Sequence, residues 1–151
     1  MKTGVLLLNF GGPSSLGEVR SFLYRLFADK NILVGVPSPI RQALAAGIAV
    51  AKNRSSQNAY RLIGGKSPQL QLTNDQARKL NVLLRESSGE FKVAVGMLTS
   101  DPSIMTGLNT LRHWGAEQLV LLPLFPQFST TTTGSCYDVV NAYFEKFDWR
   151  P

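Results

Sequence analysis

Three short apolar runs, each followed by a glycine- or proline-marked break and then a helical pattern, constrain this chain more than any other feature of its sequence. Residues 4–9 (GVLLLN), 91–97 (FKVAVGM) and 118–124 (QLVLLPL) are dominated by apolar side chains, as strands covered on both faces must be. Strands separated by helices imply right-handed crossovers. The predicted fold class is therefore α/β, with three layers around a doubly wound parallel sheet. A fourth short strand is expected near residues 32–36.

The helices follow from spacing. Leu16, Val19, Phe22, Leu23, Leu26 and Phe27 recur every three or four residues, which predicts an amphipathic helix capped by Ser14 or Ser15 and ending near residues 29–31. Residues 39–53 are rich in alanine and predict a second helix with little polar surface, one that something should cover. Further helices are expected over 73–85, over 102–114 closed by Gly115, and over 137–147.

At 151 residues, 44% hydrophobic and 17% charged, the chain is expected to form a single domain over 1–151 with one buried core. Cys136 has no second cysteine to pair with, and His113 is the one histidine, so neither an internal disulfide nor a zinc-type ligand cluster is available. Met1–Leu8 carries one basic residue and an apolar run too short for a signal peptide, and no run reaches the ~18 apolar residues that span a bilayer. A cytoplasmic protein is expected, with residues 40–51 apolar enough to lie peripherally against a membrane. The net charge of +6 suits anionic partners in general. Its basic residues are scattered without interleaved aromatics, so nucleic acid is not an expected partner.

In open parallel sheets ligands gather beyond the carboxyl ends of the strands, which here means the loops at 9–14, 97–101 and 125–135. Gly11-Gly12-Pro13 can cradle an anion on backbone amides or simply make a tight strand-to-helix turn. It is neither GxGxxG nor a Walker loop.

Four segments, in this order, resemble the ferrochelatase family: VLLLNFGGP (5–13), VRSFLYRLF (19–27), YRLIGGKSP (60–68) and LPLFPQFSTTTTGS (122–135). With Gly96-Met97 and Pro102-Ser103 between them they cover nearly the whole chain, matching the N-terminal half of the family's chains. The resemblance implies insertion of ferrous iron into protoporphyrin IX in haem biosynthesis, this chain forming one wall of the porphyrin cleft. It places the metal-handling histidine and its partner acid in a C-terminal catalytic lobe outside this chain, so no catalytic or metal-ligating residue is expected here.

As substrate contacts the resemblance implies Phe10, Leu23, Leu26 and Phe27 for the apolar pocket, Tyr60 and Ser67 near the macrocycle, Arg54 for a propionate, and Met97 and Thr131 at the strand ends. Each has a plainer alternative. Helical spacing makes Leu23, Leu26 and Phe27 core residues by default. Residues 64–68 can be an ordinary turn, Arg54 a solvated arginine, and 130–135 a polar cap on the next helix.

The sequence departs from the family after Met97, where Leu98-Thr99-Ser100-Asp101 replaces a polar-aromatic pair. An iron–sulfur cluster is not expected: the position matching the family's N-terminal cluster ligand is Thr130, and Cys136 is read as a buried cysteine. No cofactor is required, and the implied partners are porphyrin, ferrous iron and either the C-terminal lobe or a second copy. Two other readings stay open: an inactive tetrapyrrole-binding module, and a half-length chelatase that rebuilds its cleft as a homodimer.

Overall fold

The structure, a computed structural model, describes residues 1–151. The chain divides into two compact units, one made of Met1–Phe10 with Gln71–Pro151 and the other of Gly11–Leu70.

The first unit is built on a three-stranded sheet of order β2-β1-β3, with β1 at Lys2–Asn9, β2 at Glu90–Met97 and β3 at Gln118–Pro123. Both pairings are parallel, with Leu6 opposite Ala94 on one side and Leu121 on the other. The central position explains why β1 is apolar throughout: Val5, Leu6, Leu7 and Leu8 are all buried, so successive side chains find cover on both faces. Helices α4 (Ile104–Trp114) and α5 (Ser135–Phe147) share a core with Leu6 and Leu8, contributing Ile104, Leu108, Leu111, Cys136, Val140 and Tyr143. Each fully buried leucine there contributes about 1.5–3 kcal/mol relative to exposure.

α4 is defined at both ends by its sequence. The Ser103 hydroxyl accepts the Thr106 amide at 3.2 Å as an N-cap, and Gly115 closes the helix at φ 82°. Its first turns lie on β2 at backbone range. A Cβ on Gly107 would stand 2.6 Å from Leu6 Cδ1 and 2.8 Å from the Val95 carbonyl, and one on Gly96 would stand 2.9 Å from Ile104 Cα. Only hydrogen fits at either position.

β3 is an edge strand whose exposure alternates, Val120 and Leu122 being 46% and 39% exposed. At the far end of α5, the Tyr143 hydroxyl donates to Asn109 Oδ1 at 2.6 Å while its ring packs with Phe147 and Trp149.

The second unit is a helical hairpin of α1 (Val19–Ala28) on α2 (Ser38–Leu62), entered by a single 3₁₀ turn at Leu16–Glu18. Val19, Leu23 and Ala49 form its core, with Phe22, Phe27 and Tyr60 packed against them. Ile40, Leu44 and Val50 lie exposed along α2. No helix of the structure is long and apolar enough to cross a membrane.

Several element boundaries differ from expectation. No strand forms near 32–36. The segment is a turn whose ends are held by Arg41, which donates from Nε to the Ala28 carbonyl at 2.9 Å and from Nη1 to the Val36 carbonyl at 3.0 Å. α2 continues nine residues past Asn53, because nothing between Asn53 and Leu62 breaks a helix before Gly64 turns to φ 89°. α3 occupies Gln69–Leu84, starting earlier than the apolar pattern, and α5 is preceded by a π-helical turn at Thr130–Gly134.

Candidate functional site

In the first unit the strand-end loops are tied together at the carboxyl end of β1. Asn9 is buried although polar, and both ends of its amide are used: Oδ1 accepts the Phe10 amide at 2.8 Å and Nδ2 donates to Thr73 Oγ1 at 3.0 Å. Thr73 lies on α3 and is fully buried, so this pair meets the requirement that buried polar groups be hydrogen-bonded. The Phe10 carbonyl accepts both the Thr99 amide at 2.9 Å and the Thr99 hydroxyl at 2.7 Å. The Phe10 ring is thus carried half-buried on a doubly anchored backbone at the strand end.

Thr131 lies within the π turn beside a small group of hydroxyls. Ser129 Oγ is 3.2 Å from Thr131 Oγ1 and 2.6 Å from Thr132 Oγ1. A π turn inside or before a helix is uncommon and often marks a functional position. Here it presents several donors over one turn of chain. Met97 is placed differently. It is 1% exposed, its amide bonds the Pro102 carbonyl at 2.8 Å, and its side chain is enclosed in the core rather than offered to a ligand.

In the second unit the structure brings Tyr60 and Ser67 together around Gly12. A Cβ on Gly12 would stand 2.6 Å from Ser67 Cβ and Oγ and 3.9 Å from the Tyr60 hydroxyl oxygen. The Ser67 amide donates to the Pro13 carbonyl at 2.8 Å, and Ser67 Oγ accepts the Gln69 amide at 3.2 Å. Gly11, Gly12 and Pro13 are all buried, so this segment is a packed turn closed by Ser67 and not an open anion cradle. Glu18 stabilises the same corner by accepting the Ser14 amide at 2.9 Å.

The Tyr60 ring meets Phe22 edge to face, with centroids 6.4 Å apart. Burial raises the Tyr60 phenol above its ordinary value of 10.0, so it stays a neutral hydrogen-bond donor at physiological pH. Gly64 and Gly65, at φ 89° and 80°, turn the chain back so that the Gly65 amide reaches the Tyr60 carbonyl at 2.8 Å.

The helical contacts separate by burial. Leu23, 6% exposed, is a core residue of the hairpin, whereas Leu26 and Phe27 remain half-buried. Arg54 lies exposed on α2. Sequence reasoning missed Asn9, Thr73 and Thr99. Asn9 alone carried a signal, a polar residue ending an otherwise apolar strand. His113 is exposed at the end of α4, and no group of three or more His, Cys, Asp or Glu side chains is placed to hold a metal ion.

A family model described as Ferrochelatase matches residues 2–151. The chain is 44% identical to a ferrochelatase of Aquifex aeolicus over 138 residues, which is 91% of this chain and 43% of that protein. It is 41% identical to a ferrochelatase of Rickettsia canadensis, covering 89% of this chain and 39% of that protein. A ferrochelatase of Rickettsia felis is 38% identical over 151 residues, covering 97% of this chain and 42% of its own length. The chain thus spans well under half the length of these relatives, while the family model runs across nearly all of it: the chain belongs to the ferrochelatase family.

Proposed function

We propose that this chain forms one wall of a porphyrin cleft in an enzyme that inserts ferrous iron into protoporphyrin IX. The observation that carries the reading is the match of the ferrochelatase family model from residue 2 to residue 151. The strand-end and hairpin geometry supports it. Phe10, Leu26 and Phe27 supply half-buried apolar surface, and Tyr60, Ser67 and the hydroxyls around Thr131 supply neutral donors. Arg54 supplies a guanidinium for a propionate carboxylate.

Metal insertion requires the macrocycle to be held with its pyrrole nitrogens turned toward the metal, and a base to take the pyrrole protons. This chain's residues serve the first requirement. The second calls for an imidazole beside a carboxylate. The relatives extend well beyond the length matched here, and that part is where we place the proton acceptor. Porphyrin and ferrous iron are the substrates in this reading, and the unmatched lobe is the partner that completes the cleft. The exposed Ile40, Leu44 and Val50 of α2 support peripheral contact of a cytoplasmic enzyme with a membrane surface.

The test is a titration of protoporphyrin IX against the purified chain, followed by an anaerobic iron-insertion assay with and without the remaining lobe. Saturable binding, with insertion only when the lobe is joined, is expected. Binding without insertion in both cases leaves a tetrapyrrole-binding module. Insertion by the chain alone as a dimer leaves the half-length chelatase.

A further inference from the structure

The opposite end of the sheet carries a cluster that the porphyrin reading does not use. Lys2 on β1 and Lys92 on β2 stand on the same sheet face as Leu6 and Ala94, because alternate residues of a strand share a face and the register pairs Lys2 with Glu90, Gly4 with Lys92 and Leu6 with Ala94. Trp114, the last residue of α4, packs against the core on that face. Both ammonium groups reach its indole, Lys2 Nζ at 5.5 Å and Lys92 Nζ at 6.0 Å from the ring centroid. Beside them opens a cavity of about 480 Å³ lined by Lys2, Arg85, Glu90, Phe91 and Trp114 among others.

The charges here do not balance. No carboxylate forms an ion pair with Lys2, Lys92 or Arg85, and the nearby Glu117 is taken by the Met1 amine at 3.9 Å and the Lys2 backbone amide at 3.0 Å. Lys2 and Arg85 line the cavity with one uncommitted carboxylate, Glu90, and Lys92 stands beside it over the Trp114 ring as the third cation of the cluster. The carboxyl ends of α3 and α4 contribute about half a negative charge each, which leaves the cluster positive by roughly one charge. Each lysine gains from the indole face. Two ammoniums drawn to one ring nevertheless repel each other, and an anion between them would relieve this.

We propose that this cavity binds a multiply charged phosphate-class anion, held by Lys2, Lys92 and the Arg85 guanidinium against the edge of Trp114. The number of converging cations favours a polyanion over a monocarboxylate, because each added charge meets a further donor. Arg85 offers the forked geometry that phosphate oxygens accept, and the lysines act as point charges. The site lies at the amino ends of the strands, away from Asn9 and Phe10 in the same unit.

The chain has two tryptophans, so their indole N–H signals in a nitrogen-correlated NMR spectrum give a probe and an internal control. Pyrophosphate is titrated into the uniformly labelled chain at low ionic strength, where screening is weak. The Trp114 signal, assigned with Trp114→Phe, is expected to shift saturably while that of Trp149 stays in place. The double variant Lys2→Met with Lys92→Met keeps the side-chain stems over the ring and should bind about tenfold more weakly or worse. Arg85→Gln changes an exposed residue outside the core and should weaken binding severalfold, so it decides the matter should the double variant not fold.

Acetate at matched ionic strength should leave Trp114 unmoved. Equal shifts of both indoles, an equal response to acetate, tighter binding of citrate than of pyrophosphate, or unchanged binding by Arg85→Gln would each overturn the proposal.

Discussion

Ser67 occupies the space that a side chain on Gly12 would need: its Cβ and Oγ both lie 2.6 Å from where that Cβ would stand. Gly12→Ala therefore forces the turn at 11–13 and the loop at 64–67 apart. It should destabilise the protein by about 1–3 kcal/mol, the usual cost of overpacking a closed site. Urea denaturation of Gly12→Ala, Ser67→Gly and the double variant checks this, since Ser67→Gly empties the contested space and the double variant should recover part of the loss. Additive effects would show that the two residues do not share it.

The Asn9 amide depends on Thr73 in a fully buried setting. Thr73→Val keeps the shape, leaves Asn9 Nδ2 without that acceptor, and should cost about 1–3 kcal/mol. Thr73→Ser should retain most of the stability by restoring the oxygen. Equal losses for valine and serine would point to packing and not to the hydrogen bond.

The Tyr60 phenol titrates above its ordinary value of 10.0 because burial disfavours its charged form. In the window between the unfolded and folded values, the unfolded chain has lost this proton and the folded chain still holds it. Stability from this group is therefore constant below the unfolded value and declines as pH rises through the window. Thermal melts across the alkaline range should show a shallower decline for Tyr60→Phe than for the parent chain.

Leu23 and Phe27 lie one turn apart on α1 yet should respond differently. Leu23→Ala opens a hole in the hairpin core and should cost about 2–5 kcal/mol. Phe27→Ala removes half-buried surface and should weaken protoporphyrin binding more than it lowers the melting temperature. A Phe27→Ala variant with a large stability loss and unchanged binding would mark it as a core residue.

The 151-residue chain by itself should not insert iron at an enzymatic rate, and His113→Ala should change nothing in an anaerobic haem-formation assay. Lack of a placed proton acceptor alone forfeits a factor of about 10² to 10⁴. Normal turnover abolished by His113→Ala would make this exposed histidine the base and the half-length reading the better one.

The sheet was legible in the sequence because its strands are short apolar runs: β1, β2 and β3 were found within a residue or two, although only β1 is buried on both faces while β3 alternates between exposed and half-buried. The second half of α2 was not, since residues 53–62 are mostly polar and lack a periodic apolar stripe, and only the absence of a breaker before Gly64 marked the helix. Burial of Leu23 against half-exposure of Phe27 could not be read from spacing that assigns both to one stripe. The Asn9–Thr73 pair joins residues 64 positions apart, and each alone reads as an ordinary polar residue.

The bare approach of α4 to β2 at Gly96 and Gly107 sets where the chain from Met97 to Ser103 can run, and with it the backbone that anchors Phe10 through Thr99. A side chain as small as a methyl group at either glycine would lift the helix and drag the strand-end loop after it. A mutational survey scored by porphyrin binding would then rank these two glycines beside the contact residues, although neither has a side chain with which to touch a ligand. Loss of binding at Gly96 or Gly107 is accordingly a measure of how the strand-end loop is held in place, and is to be read against melting temperature before any contact is assigned.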